Sequence, residues 1–155
     1  MKVLAYAGSE EIAVVYVVEY APQKVVECVE SLQPPVPREE KWVLLVSTMF
    51  GCPVGCQMCD AGGFYHGKLS KDEILAQIDF LVHKRYPQGV IPARNFKIQF
   101  ARMGEPALNP SVLDVLDELP ARYRAPGLMP SLSTIAPYGA ERFFARLLEI
   151  KREKY

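Results

Sequence analysis

Trp42-Val43-Leu44-Leu45-Val46-Ser47-Thr48-Met49-Phe50-Gly51-Cys52-Pro53-Val54-Gly55-Cys56-Gln57-Met58-Cys59 decides the fold. Trp42 to Ser47 is an apolar run of strand length, the pattern expected of a strand covered on both faces. The remainder is a glycine-containing loop that carries three thiols within eight residues. A buried strand running straight into a chemically loaded loop predicts a βα unit whose functional loop sits at the strand's C-terminal end.

On the C-terminal side the alternation repeats. Ser70-Lys71-Asp72-Glu73 is a capping box and predicts a helix to about Tyr86, with Ile74, Ile78, Leu81 and Val82 on one face and Lys84 and Arg85 near its end. Phe96, Ile98 and Phe100 alternate with Lys97 and Gln99 as a second strand. Asn109-Pro110 opens a helix through Leu119, which Pro120 is expected to end. Leu128 to Thr134 reads as a third strand, and Gly139 to Lys151 as a helix with Phe143, Phe144, Leu147 and Ile150 turned inward. Three βα units predict an α/β fold with a parallel sheet, a partial (βα) barrel. Its functional loops would gather at one edge: the cysteines after the first strand, Gly104-Glu105-Pro106 after the second, Ser133-Thr134 closing the third.

On the N-terminal side, Val3 to Ala7 and Ile12 to Tyr20 are β-rich runs separated by Gly8-Ser9-Glu10-Glu11, and Lys24 to Val29 adds a third. They predict a small antiparallel sheet. Pro34, Pro35 and Pro37 with Arg38 to Lys41 form a stiff polar linker, so the chain divides into residues 1–40, sheet and linker, and 41–155, the βα core.

Composition narrows the function. Half of the 155 residues are hydrophobic and 23% are charged, enough apolar surface for a packed core. Eighteen basic residues balance eighteen acidic ones, so no overall basic field supports binding to a nucleic-acid backbone. The apolar run Ile12 to Val18 is flanked by Glu10, Glu11 and Glu19 and is too short for a membrane span, and nothing resembles a secretory leader. A cytoplasmic address is expected, where clustered thiols serve as metal ligands in preference to disulfides. Cys28, inside Val25-Val26-Glu27-Cys28-Val29, reads as a buried structural thiol.

Cys52, Cys56 and Cys59 offer only three ligands. A 4Fe-4S cluster held by them has one iron free of protein and open to a bidentate small molecule. A zinc site needs a fourth ligand, for which His66 is the nearest offer, although zinc motifs more often present two ligand pairs; His66 otherwise reads as solvent-facing or supporting. Glu105 supplies a carboxylate for an ammonium group, and Gly104 permits close backbone approach.

The Cys-x-x-x-Cys-x-x-Cys spacing after an apolar strand resembles the signature of the radical S-adenosylmethionine (SAM) superfamily. Met58 stands where that superfamily carries a large side chain near the SAM adenine. Met103-Gly104-Glu105-Pro106 is similar to its GGEP-type motif for the SAM amino group, and Ser133 matches a further SAM contact. The resemblance implies a 4Fe-4S cluster on Cys52, Cys56 and Cys59, and SAM contacts from Met58, Gly104, Glu105 and Ser133. It also implies an electron donor such as a flavodoxin or ferredoxin. The implied activity is reductive SAM cleavage to a 5'-deoxyadenosyl radical that takes hydrogen from an unidentified substrate.

Within the superfamily, Ser47 to Cys52, Phe64 to Leu69, Met103 to Asn109 and Leu132 to Thr134 resemble RlmN/Cfr-type adenine-2/adenine-8 ribosomal RNA methyltransferases, over about Val43 to Pro137. Leu45 departs from that pattern, which has a reactive cysteine seven residues before the first cluster cysteine. The methyl-carrying cysteine of those enzymes would lie beyond Tyr155, and the superfamily core usually has six βα units. The chain is therefore expected to be a fragment or to be completed by a partner. RNA methylation and non-catalytic metal binding stay open as alternatives.

Overall fold

A computed structural model describes residues 1–155. The N-terminal strands are β1 (Lys2–Ser9), β2 (Ala13–Ala21) and β3 (Lys24–Ser31), followed by β4 (Lys41–Val46). A short pair, β5 (Met49–Gly51) and β6 (Tyr65–Lys68), brackets the cysteine loop. Helix α1 (Lys71–Arg85), β7 (Asn95–Phe100), α2 (Ser111–Arg122), β8 (Leu128–Leu132) and α3 (Glu141–Lys154) complete the chain.

Six strands form one sheet in the order β1-β2-β3-β4-β7-β8. Pairing is antiparallel from β1 to β4 and parallel from β4 through β7 to β8. The expected break near residue 40 is thus a change of strand direction within a continuous sheet, because Val29, Glu30 and Ser31 pair with Leu45, Leu44 and Val43.

Register explains which side chains are buried. Val14, Glu30, Leu44, Ile98 and Pro130 lie in successive partner positions on one face, and that face carries the core with the three helices. On the other face, Val17, Glu27, Leu45, Lys97, Gln99 and Ser131 are only half-buried. The strand period of two therefore separates a helix-covered face from an open one.

Buried polar groups fasten α1 to the sheet. The capping box forms as expected: Glu73 N–H donates to Ser70 Oγ at 3.2 Å, and Ser70 N–H to Glu73 Oε2 at 2.8 Å. Fully buried Gln77 accepts from Ser47 N–H at 2.9 Å and donates to Ser47 O at 3.0 Å, replacing ladder partners that β4 lacks where it ends. At the opposite end of β4, buried Glu30 accepts from Trp42 Nε1 and from the Arg85 guanidinium.

One expectation about proline needs correction, and a second proline has a physical account. Pro120 does not stop α2, which runs on to Arg122. Its missing N–H would orphan the carbonyl four residues back, and Tyr155 supplies the replacement by donating its hydroxyl to Leu116 O at 2.7 Å. Pro130 lies inside β8 and is tolerated because β8 is the sheet edge. Gly127 O and Ser133 N–H bond to β7, so the alternation turns Pro130 outward, where no donor is needed.

Candidate functional site

All the loops singled out from the sequence leave the sheet at one end. β4 runs into buried Ser47-Thr48, which grips the segment after β7 through backbone and side chain: Thr48 N–H donates to Met103 O at 2.7 Å, and Met103 N–H to Ser47 Oγ at 3.1 Å. Ser47 Oγ in turn donates to Glu27 O on β3 at 2.6 Å. Asn109, 1% exposed, donates Nδ2 to Thr48 O at 2.7 Å and to Leu69 O at 2.8 Å, and accepts from Ser111 N–H at the start of α2. These bonds fix the roots of the cysteine loop, the Gly104-Glu105 turn and helix α2 relative to one another.

The cysteine loop is less constrained between its roots. Cys52 N–H donates to Phe64 O, and Cys59 N–H turns back to Cys56 O at 3.0 Å. Cys52 and Cys56 are half-buried, Cys59 is exposed, and all three are free thiols. They share one loop beside Met103, yet no three Cys, His, Asp or Glu side chains converge tightly enough to hold a bare metal ion. His66, on β6, is exposed and does not close a fourth corner. Soft thiolates on one loop nonetheless suit iron–sulfur ligation. Gly55 and Gly63, with φ of +64° and +88°, have nothing within 4 Å of the Cβ position.

Gly104 (φ +97°) is required by protein packing, since a Cβ there would lie 2.6 Å from Met49 Cβ and 2.8 Å from Met49 N. Glu105, only 5% exposed, has its carboxylate engaged: Oε1 accepts from Ala107 N–H at 2.9 Å and Thr134 Oγ1 at 2.5 Å, and Oε2 from Ile135 N–H at 3.0 Å. It braces the loop after β7 against the end of β8. Ser133 is exposed there and accepts from Gln99 Nε2 at 3.2 Å. Met58 points into solvent, 96% exposed, and is not brought to the others.

Sequence reasoning missed an ion pair across 75 positions: Arg102, just after β7, donates Nε to Glu27 Oε2 on β3 at 2.6 Å, and its Nη2 meets the same oxygen. Two cavities of about 170 and 410 Å³ adjoin this pair and share Glu27, Phe64 and Met103 in their walls. The alternation of Val25, Glu27 and Val29 on β3 was the available signal that Glu27 faces away from the helices. Its partner could not be read without the sheet order.

No protein-family model matches the chain. The probable dual-specificity RNA methyltransferase RlmN of Thermus thermophilus is 32% identical over 115 residues, covering 74% of this chain and 32% of that protein. The dual-specificity RNA methyltransferase RlmN of Halorhodospira halophila is 36% identical over 83 residues, 53% of this chain and 21% of its own length. In fold, a radical SAM methyltransferase from Sphaerobacter thermophilus superposes with a TM-score of 0.68 at 20% identity, covering 94% of this chain and 41% of that one. The chain spans about a third or less of the length of these curated relatives. The thiol loop, the Gly-Glu turn and these likenesses together place it in the radical SAM superfamily, on the RlmN/Cfr-like side.

Proposed function

We propose that this region is the cluster- and SAM-binding half of a radical SAM enzyme, with Cys52, Cys56 and Cys59 as the ligands of a 4Fe-4S cluster. The observation that carries the proposal is the placement of three free thiols on one loop rooted beside the Gly104-Glu105 turn, at the shared end of β4 and β7. Once bound, the cluster and SAM supply reductive cleavage of a carbon–sulfur bond and a primary carbon radical. The protein's own task is positioning. The loop, loose between rigid roots, draws its thiols inward as metal binds, which couples loop order to metal content. Gly104 keeps the turn after β7 close to Met49, and Glu105 holds that turn against β8, so the SAM-facing surface is set before ligand arrives. Ser133, at the end of β8, is the exposed hydroxyl of this surface.

The three βα units form the first part of a (βα) barrel whose lumen is the half-buried sheet face, and residues 1–40 add the wall beside it. An electron donor of flavodoxin or ferredoxin type and a cytoplasmic setting belong to the same proposal; no helix is long and apolar enough to cross a membrane. RNA methylation is the second reading, favoured by the names of the relatives. Against it, Leu45 puts an aliphatic side chain on the open sheet face where that chemistry would place a thiol.

Anaerobic reconstitution tests the ligand set. The wild type is expected to retain about four iron and four sulfide per chain, and Cys52→Ala, Cys56→Ala and Cys59→Ala each to lose most of it. Full retention in all three variants overturns the assignment.

A further inference from the structure

The two free edges of the six-stranded sheet, β1 and β8, are built differently. β8 is poorly equipped to receive another strand, because Pro130 has no N–H and Leu128 turns its own back to Ala125 O. β1 lacks such protection over most of its length. It pairs only with β2, and all eight of its residues are exposed. It contains no proline and a single charge, Lys2. A bulge at Leu4 interrupts its register with β2, but Ala5 to Ser9 runs regularly against Val17 to Ala13. Tyr6, in the middle of that regular stretch, is 74% exposed. An extended and nearly uncharged edge leaves a row of backbone donors and acceptors open to a further strand.

We propose that β1 is a self-association surface whose partner is a second copy of this chain: the two β1 strands pair antiparallel about a two-fold axis at Tyr6 and join two six-stranded sheets into one. This assembly is independent of the cluster chemistry. A strand paired with its own copy must complement itself, and β1 does so in three ways. With the axis at Tyr6 the two Tyr6 rings stand side by side, and each lies 6.2 Å from Tyr16 of its own sheet, so four tyrosines line up across the junction on the helix-covered face. On the other face Ala5 meets Ala7 of the second copy, small against small. The antiparallel direction carries Lys2 to the end where the second copy turns through Glu10 and Glu11, so the only charge of the strand arrives beside acids and no like charges meet. Laid against β8 instead, the same strand would face Pro130 and find fewer donors.

Sedimentation velocity on the anaerobically reconstituted protein, under a thiol reductant and from about 5 to 500 µM, tests this. The wild type is expected to pass from monomer to dimer across that range, as a contact smaller than a standard interface does. Backbone amides of β1 are expected to exchange hydrogen more slowly at the top of the range than at the bottom. Tyr6→Lys and Tyr6→Glu each weaken association about tenfold, by removing the aromatic pair and setting like charges across the axis. An equimolar mixture of the two variants restores it, because opposite charges then face each other at the axis. Met129→Lys, on the opposite edge strand, leaves it unchanged. Circular dichroism and thermal melting establish that each variant is folded. A wild type that stays monomeric throughout, a dimer indifferent to both Tyr6 substitutions, or a mixture that associates no better than either variant alone refutes the proposal. Loss of the dimer in folded Met129→Lys moves the contact to β8 and refutes it as well.

Discussion

Replacing Asn109 with alanine removes the brace between the cysteine loop, the end of β6 and helix α2. Three hydrogen bonds go, from Nδ2 to Thr48 O and Leu69 O and from Ser111 N–H to Oδ1. Their loss is uneven. Thr48 O keeps a second donor in Leu69 N–H, whereas Leu69 O, at a residue 1% exposed, and Ser111 N–H, at a half-buried one, are left without partners. Two orphaned backbone groups at about 1–2 kcal/mol each give a loss of about 3 kcal/mol. For a domain of this size that lowers Tm by about 6–12 °C. Asn109→Asp sharpens the test: it preserves the acceptor for Ser111 but turns a carboxylate oxygen toward two carbonyls, so it is expected to be no more stable than Asn109→Ala at neutral pH. Urea unfolding followed through the single buried tryptophan, Trp42, reads both variants. A loss in Asn109→Ala below about 1 kcal/mol, or an Asp variant near wild type, refutes the bracing role.

Gly104→Ala meets Met49 at 2.6 Å in a left-handed backbone conformation, so a loss of about 2–3 kcal/mol is expected in thermal unfolding, together with weaker iron retention as β5 shifts. Tyr155→Phe leaves Leu116 O without the donor that Pro120 fails to provide, and should cost about 1–2 kcal/mol in the same assay. Burial pushes the Cys28 thiol up from 9.0 to about 12, with the nearby Glu27 carboxylate adding to the effect. Cys52, Cys56 and Cys59 are then the thiols modified by a maleimide in the folded, metal-free protein at pH 8, and Cys28 reacts only on unfolding. The same shift has a sign: the unfolded chain releases this proton near pH 9.0 and the folded protein near 12, so the stability it contributes is present below pH 9.0 and drains away towards pH 12. Cys28→Ser should flatten that alkaline fall in a series of melts.

Much of the scaffold was legible because it rests on local rules. The alternation of Phe96, Ile98 and Phe100 located β7, and the Ser70–Glu73 box located the start of α1 to the residue. The apolar Trp42–Ser47 run located β4 and so placed the cysteines at a strand end. What stayed hidden depends on partners distant in sequence. Pro120 reads locally as a helix stop and is overruled by Tyr155, 35 residues away. The β5–β6 pair is too short to show a period, and the β3–β4 pairing that joins the N-terminal strands to the core spans the proline-rich linker. At the site, motif position identified Glu105 but not its use, because only the fold shows its carboxylate already holding Thr134 and Ile135. Asn109 and Arg102 carried no sequence signal of their roles, since an asparagine before a proline reads as a helix cap and a lone arginine after a strand as solvated surface.

The central claim is that three thiolates leave one iron of a cluster open to SAM. It is tested most directly by adding SAM and a low-potential reductant to the anaerobically reconstituted protein and quantifying products by mass spectrometry. The expected result is 5'-deoxyadenosine and methionine in equal amounts, absent from Cys56→Ala. A wild-type protein that carries its full complement of iron and sulfide, yet leaves SAM intact under reduction, contradicts the account.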